Sequence, residues 1–286
     1  MTKLRKTALL TVLMLMLSMF SGCKEKELSY TVLDIGSVSD GIGGIHTSDV
    51  PEWSSEKLNP HDDTTAPKEM TVTFNGKTYT GSYEGSYTRL PNTYVSHSYM
   101  GKLEDGNLVY FYVNGKTQEL TSISLYRKTE QAGKTVDEAA CRKVADELAG
   151  KYISLKDYKV KVDPFKDYDF IRYTYTYYRE VSSYETTDML RVVVDGNGVV
   201  TSCDMSMVGT FKDVKKISID EGKATSVIEA KLQDIYGHLG TMTGYTVKQK
   251  QWVKTADDQC GRLYTIDVNF RDGNDLSGTV INLLIV

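Results

Sequence analysis

The spacing of hydrophobic positions changes several times along the chain. Residues 8–20 (ALLTVLMLMLSMF) form one unbroken apolar run, preceded by Lys3, Arg5 and Lys6 and followed by Ser21-Gly22-Cys23. From Lys24 to Glu69 there is little periodicity, and Asp40-Gly-Ile-Gly-Gly44, Pro51, Asn59-Pro60 and Pro67 punctuate the stretch. Breakers at this density predict a tether over residues 23–69, in which a few residues, such as Tyr30 to Ile35, could dock as an edge strand. From Met70 the period becomes two. Val72 and Phe74 lead into Asn75-Gly76, and Lys77 to Tyr83 return, which predicts a hairpin with a type I′ turn. Leu108 to Val113 (LVYFYV) runs into Asn114-Gly115, and Thr121 to Tyr126 forms the returning strand. Residues 70–132 therefore read as a strand-rich subdomain.

The remainder carries an internal echo. Thr135-Val-Asp-Glu138 recurs as Ser218-Ile-Asp-Glu221, each matching the capping box, in which a Ser/Thr N-cap and a Glu three residues on satisfy each other's amides. Ala140, Val144 and Leu148, with Cys141 and Ala145 beside them, make a helical stripe stopped by Gly150. Ala224, Val227, Ile228, Leu232 and Ile235 make a second, ending near Gly237. Each helix precedes strands: Tyr158 to Val162, Phe170 to Tyr178, Met189 to Val194 and Val199 to Met207 in the first set. Tyr245 to Lys248, Trp252-Val253, Leu263 to Phe270 and Thr279 to Val286 form the second. This order predicts an α+β fold: a strand-rich N-terminal subdomain, then two helix-plus-antiparallel-sheet repeats over residues 133–213 and 214–286.

One helix followed by an antiparallel sheet, closing on the hairpin turn Asp195-Gly-Asn-Gly198, resembles the PepSY family and its cystatin-like relatives. The resemblance is best over residues 133–208 and weaker over 214–286. It implies binding or inhibitory modules of secreted and cell-surface proteins, with no catalytic residues to carry over. At the other end, a basic start, a 13-residue apolar run and small residues before a Cys resemble the lipobox of bacterial lipoproteins. That run is shorter than the roughly 20 residues of a membrane-spanning helix. The resemblance implies that residues 1–22 are removed as a signal peptide and that Cys23 is lipidated. The mature protein would then be held on the extracytoplasmic face of the cell membrane by its acyl chains.

Composition agrees with a folded, acidic protein. Apolar residues make up 40% and charged residues 25%, enough for a sizeable core. Loss of Lys3, Arg5 and Lys6 with the leader leaves 31 Lys+Arg against 38 Asp+Glu, moving the formal charge from −4 to −7. That balance, without a basic block, argues against nucleic acid as a partner. The 20 Tyr, against 7 Phe and 2 Trp, suit half-exposed strands where the ring packs and the hydroxyl stays wet.

Motifs for chemistry are sparse. The His residues (His46, His61, His97, His238) show no ligand spacing, and neither HExxH nor CxxC occurs, so no metal or other cofactor is expected. His61-Asp62-Asp63 lies in the tether, and Asp195-Gly-Asn-Gly198 reads as a turn rather than a calcium loop. Ser54-Ser-Glu-Lys57 matches SxxK without a following KTG. The Gly-Lys-Thr triplets at residues 76, 115 and 133 lack the earlier Gly of a phosphate loop. Cys141 and Cys203 point toward one core, as buried thiols or as a disulfide, and Cys260 is left over. Tyr173, Tyr175 and Tyr177 share one face of a strand. They either pack under the first helix or form an exposed platform for a peptide or glycan. The expected function is a lipid-anchored, non-catalytic binding or inhibitory module for protein segments or cell-wall material. The alternative is a cell-envelope hydrolase using the dispersed carboxylates Glu180, Glu185 and Asp188.

Overall fold

The computed structural model describes residues 30–35, 63, 65–89, 94–126, 136–167, 170–236, 242–254, 258–272 and 275–286. The chain runs β1 (Tyr30–Ile35), β2 (Glu69–Phe74), β3 (Lys77–Arg89), β4 (Tyr94–Lys102), β5 (Leu108–Asn114), β6 (Leu120–Tyr126), α1 (Glu138–Ala149), β7 (Lys159–Asp167), β8 (Phe170–Val181), β9 (Tyr184–Asp195), β10 (Val200–Asp204), α2 (Glu221–Tyr236), β11 (Met242–Lys254), β12 (Cys260–Asp272) and β13 (Asp275–Ile285). The thirteen strands of the described residues join one sheet in the order β1-β13-β12-β11-β9-β10-β6-β5-β4-β3-β2, with β8 branching from β9 and β7 from β8.

Turn chemistry explains the local pairings. Asn75 and Gly76 both take positive φ (47° and 76°), as a type I′ turn requires, and register Phe74 against Lys77. The second Asn-Gly pair behaves differently. The β5–β6 connection is longer, with Gln118 at φ 62°, and Asn114 Oδ1 accepts the amides of Lys116 and Thr117. Asp195 Oδ1 likewise accepts the amides of Asn197 and Val199, closing the β9–β10 hairpin. A bulge between Val200 and Ser202 then turns Val200 inward and leaves Val199 exposed.

The expected α+β architecture of a separate strand-rich subdomain and two PepSY/cystatin-like repeats is corrected by the pairing of the strands. Over the described residues the structure is predominantly β, one mixed sheet carrying two α-helices. β10 pairs with β6 (Cys203↔Ile123), so residues on both sides of the expected boundary share a sheet. They also share a core, in which Val72, Tyr99, Phe111 and Ile123 join Cys141, Ala145, Leu148, Tyr175 and Val192. β11 meets β9 in parallel through the single bridge Trp252↔Thr186. β1, from within the expected tether, pairs antiparallel with β13. The physical reason is edge satisfaction: each small sheet alone would leave rows of unpaired backbone groups, and joining edges removes them.

Helix α1 sits inside the curl of this sheet. Tyr175 OH donates to Glu138 O at 3.1 Å, Tyr177 OH to Asp146 Oδ1 at 2.6 Å, and Lys151 Nζ to Asn75 Oδ1 at 2.8 Å. The helix is thus held by β8 on one side and the β2–β3 turn on the other. Helix α2 lays Ala224, Ile228, Leu232 and Tyr236 on Tyr264, Ile266, Val268 and Phe270 of β12 and on Ile281, Leu283 and Ile285 of β13. A smaller cluster of Val181, Phe211 and Trp252 fills the seam between the two cores. Among the described residues, no helix is long and apolar enough to cross a membrane.

The capping boxes are displaced by two residues. The N-cap of α1 is Asp137, whose Oδ1 accepts Ala140 N at 2.7 Å. Asp220 plays the same part for α2, accepting the amides of Gly222 and Lys223. Glu138 and Glu221 therefore open their helices rather than closing a box, and Glu221 is free to reach Lys250 and Arg262. Asp220→Ala should lower the unfolding free energy by about 1 kcal/mol. Ser218→Ala, at the position first read as the cap, should change it by less than about 0.5 kcal/mol in the same urea titration.

Candidate functional site

The alternation of β5 sets up the most distinctive surface. Val109, Phe111 and Val113 are buried toward α1, which directs Tyr110 and Tyr112 to the opposite, outward side. β3 joins them through a bulge between Tyr83 and Gly85. Past that bulge Ser86 faces inward and Tyr87 outward, the reverse of what unbroken alternation from Tyr79 would give. Tyr87 is registered opposite Ser96, Tyr112 opposite Ser98, and Tyr110 opposite Ser124.

The rings interact across these serines. Tyr87 and Tyr112 meet edge to face with centroids 6.0 Å apart, and Tyr110 and Tyr126 do so at 5.9 Å. Tyr126 is 66% exposed, a large value for an aromatic ring, and the other three are half-buried. Ser96 and Ser98 lie on the outward side yet are buried, because small side chains there let the neighbouring rings close over them. Ser124 Oγ lies 2.9 Å from Ser202 Oγ, which continues the hydroxyl-rich surface onto β10. The face offers aromatic area edged by neutral groups that both donate and accept.

The tyrosines singled out from the sequence lie elsewhere. Tyr173, Tyr175 and Tyr177 are buried beneath α1, with the Arg142 guanidinium 5.9 and 5.8 Å from the Tyr175 and Tyr177 ring centres. Burial pushes the hydroxyls of Tyr175 and Tyr177 well above the usual tyrosine range. They are core residues, and the exposed-platform alternative for them is corrected. Cys141 and Cys203 are buried in the same core as free thiols, and Cys260, also free, is half-buried. Burial raises the Cys203 thiol to about 12 and also raises Cys141, so neither is poised as a thiolate. Cys23, the expected lipidation site, lies outside the described residues.

The three carboxylates of the hydrolase alternative are occupied. Glu180 and Glu185 face each other across β8 and β9 and pair with Lys159 and Lys161 of β7. Asp188 is fully buried in a β9 bulge, where the register with β8 shifts between Tyr178 and Glu180. It accepts from Tyr158 OH at 2.5 Å, Arg179 Nε at 3.2 Å, Gly209 N at 2.8 Å and Phe211 N at 3.0 Å. Desolvation, then the bond to Asp188, pushes Tyr158 up to about 12, so it remains a proton donor to that carboxylate. The carboxylate organises the interior.

Two constellations had escaped the sequence reading. Ser86 Oγ lies 2.8 Å from His97 Nδ1 and 2.7 Å from Tyr83 OH. A serine–histidine contact is the start of a nucleophile and base pair. Here both residues are buried, and Gly115 packs so closely that an added Cβ would sit 2.8 Å from His97 Nε2. The partners are opposed only because the β3 bulge turns Ser86 inward, which no local pattern announces. At the seam, Arg262 lies between the Trp252 and Tyr184 rings, 3.9 and 4.0 Å from their centres, and binds Glu221. Among the described residues no group of three or more His, Cys, Asp or Glu could hold a metal ion.

No protein-family model matches the chain, and neither a curated protein nor a solved structure matches it at a significant level. The assignment of Asp188 is directly testable. Asp188→Ala leaves Arg179 and three further donors without their acceptor and should cost about 3–5 kcal/mol of stability in denaturant unfolding. Glu180→Ala and Glu185→Ala should leave the unfolding midpoint nearly unchanged, because their pairs are at the surface.

Proposed function

We propose that the protein is a lipid-anchored, extracytoplasmic binding module that docks protein segments or cell-wall material on the outward tyrosine face of β3–β6, without catalysis. One observation carries the reading: four tyrosines from three strands form two ring pairs on a solvent-facing sheet surface. Aromatic rings on strands held from behind by a packed core lose little entropy on binding and bring large contact areas. The engagement of Glu180, Glu185 and Asp188 in ion pairs and hydrogen bonds also supports a binding role over the hydrolase alternative. The basic start, the apolar run and Ser21-Gly22-Cys23 support anchoring through Cys23, with acyl chains that add about 0.8 kcal/mol per buried methylene.

Each half of this reading has its own test. Cys23→Ala should abolish incorporation of a fatty-acid probe into the protein in cells, and unchanged labelling would remove the anchor. Wild-type protein should retain a component of envelope extract that the Tyr110→Ala/Tyr112→Ala double variant, with unaltered circular dichroism, does not. Equal retention by both proteins would show that the face is not the docking surface.

A further inference from the structure

Resting on the binding-module reading, the chemistry of the tyrosine face narrows the ligand, and we propose that it is a neutral polysaccharide chain lying across β3–β6. The first argument is geometric. β3 and β5 flank β4, so their backbones are about 10 Å apart, yet the Tyr87 and Tyr112 ring centres are only 6.0 Å apart. The rings must lean toward each other over β4, roofing Ser96 and Ser98, which are buried although they point outward. Tyr110 and Tyr126 approach to 5.9 Å from the adjacent strands β5 and β6. The four rings form a surface on which the flat C–H faces of sugar rings stack, and the two pairs offer two such contacts to one repeating chain.

The second argument separates a glycan from a peptide. A bound strand is read through the backbone groups of a sheet edge. β4 and β5 are interior strands, paired on both sides, while β6 is covered by β10 along Ser122–Ser124 and β3 by β2 along Lys77–Ser82. Around Tyr110 and Tyr112 the backbone groups are engaged within the sheet, which leaves side chains to recognise a ligand there. The side chains nearest the rings carry hydroxyls or are apolar: Ser122 and Ser124 on β6, Ser202 on β10, Leu108 on β5 and Met100 on β4, with Lys102 and Asp204 at the margins opposite Leu108 and Ser122. The two marginal charges are of opposite sign and stand on different strands, β4 and β10, so the face presents no block of one charge to a polyanion or a charged segment. Hydroxyls that donate and accept match those of a sugar, whose ring faces are apolar and whose rim is polar.

The test uses the mature chain, residues 23–286, with Cys23→Ser to keep it free of lipid. Its migration is followed in native gels with and without glycol chitin or hydroxyethyl cellulose, and binding of chitohexaose and cellohexaose is measured by calorimetry. Retardation by at least one neutral polymer is expected, insensitive to added salt. The Tyr110→Ala/Tyr112→Ala variant should weaken binding about tenfold or more, whereas Tyr112→Phe, which keeps the stacking ring, should retain most of it. Thermal unfolding of each variant separates loss of the face from loss of the fold. Failure of wild type to bind any of the four probes overturns the proposal, as does binding that the tyrosine-to-alanine variant leaves unchanged. If the sugars fail while the same variant loses a protein from envelope extract, the glycan assignment falls and the binding module stands. If the variant loses neither sugar nor envelope component, both fall.

Discussion

The buried carboxylate of Asp188 is the constraint on which the arrangement of the two cores depends. A negative charge removed from water is tolerated only when donors surround it, and here those donors come from three places. Tyr158 precedes β7, Arg179 belongs to β8, and the amides of Gly209 and Phe211 belong to the segment leading toward α2. The β9 bulge that turns Asp188 inward also places Thr186 at the strand's other edge. There it bridges Trp252, and its carbonyl accepts from Gln251 Nε2 at 3.0 Å. One local irregularity thus ties the first helix-bearing part to the second. The stacked Arg262 and its partner Glu221 reinforce the same seam from the α2 side.

Around that joint, curvature determines what is inside. The sheet curls about α1, and the side chains of β2–β6 and β8–β10 that face the helix supply an apolar lining. A strand so lined can be decorated freely on its other side. This is why β5 carries Val, Phe and Val inward and tyrosines outward with no conflict between its two faces. The outward rings are held by strands whose inner faces are close-packed, and such a surface is preorganised rather than assembled on contact. Bulges, in β3 as in β9, re-aim side chains where strict alternation would not deliver them.

Much of the local architecture was legible in the sequence. Both helices, the Asn75-Gly76 turn, the Asp195 turn and the strand character of LVYFYV follow from period and turn chemistry. The docking of Tyr30 to Ile35 as an edge strand is found as β1. The displaced caps show the limit of motif matching, since Asp137 and Asp220 compete as N-caps within the very boxes that suggested Thr135 and Ser218. The candidate face was half legible. Tyr110 and Tyr112 alternate visibly with buried residues, but Tyr87 reaches the same side only through a bulge, and Tyr126 belongs to another strand.

What the chain determined by itself is therefore what depends on near neighbours: helix periods, turn types, the inward and outward sides of a regular strand, and the basic-apolar-Cys start. These follow from backbone geometry and side-chain sterics within a few residues. Only the tertiary structure decided which edges join, that Tyr173, Tyr175 and Tyr177 lie under α1 rather than in solvent, and that Asp188 is a structural acceptor. Those outcomes rest on pairings between residues far apart in sequence, such as Cys203 with Ile123 and Thr186 with Trp252. A strand presents the same two edges and two faces whatever partner it meets, so its pattern cannot name that partner. The choice is made by burying apolar area and satisfying backbone groups across the whole sheet at once.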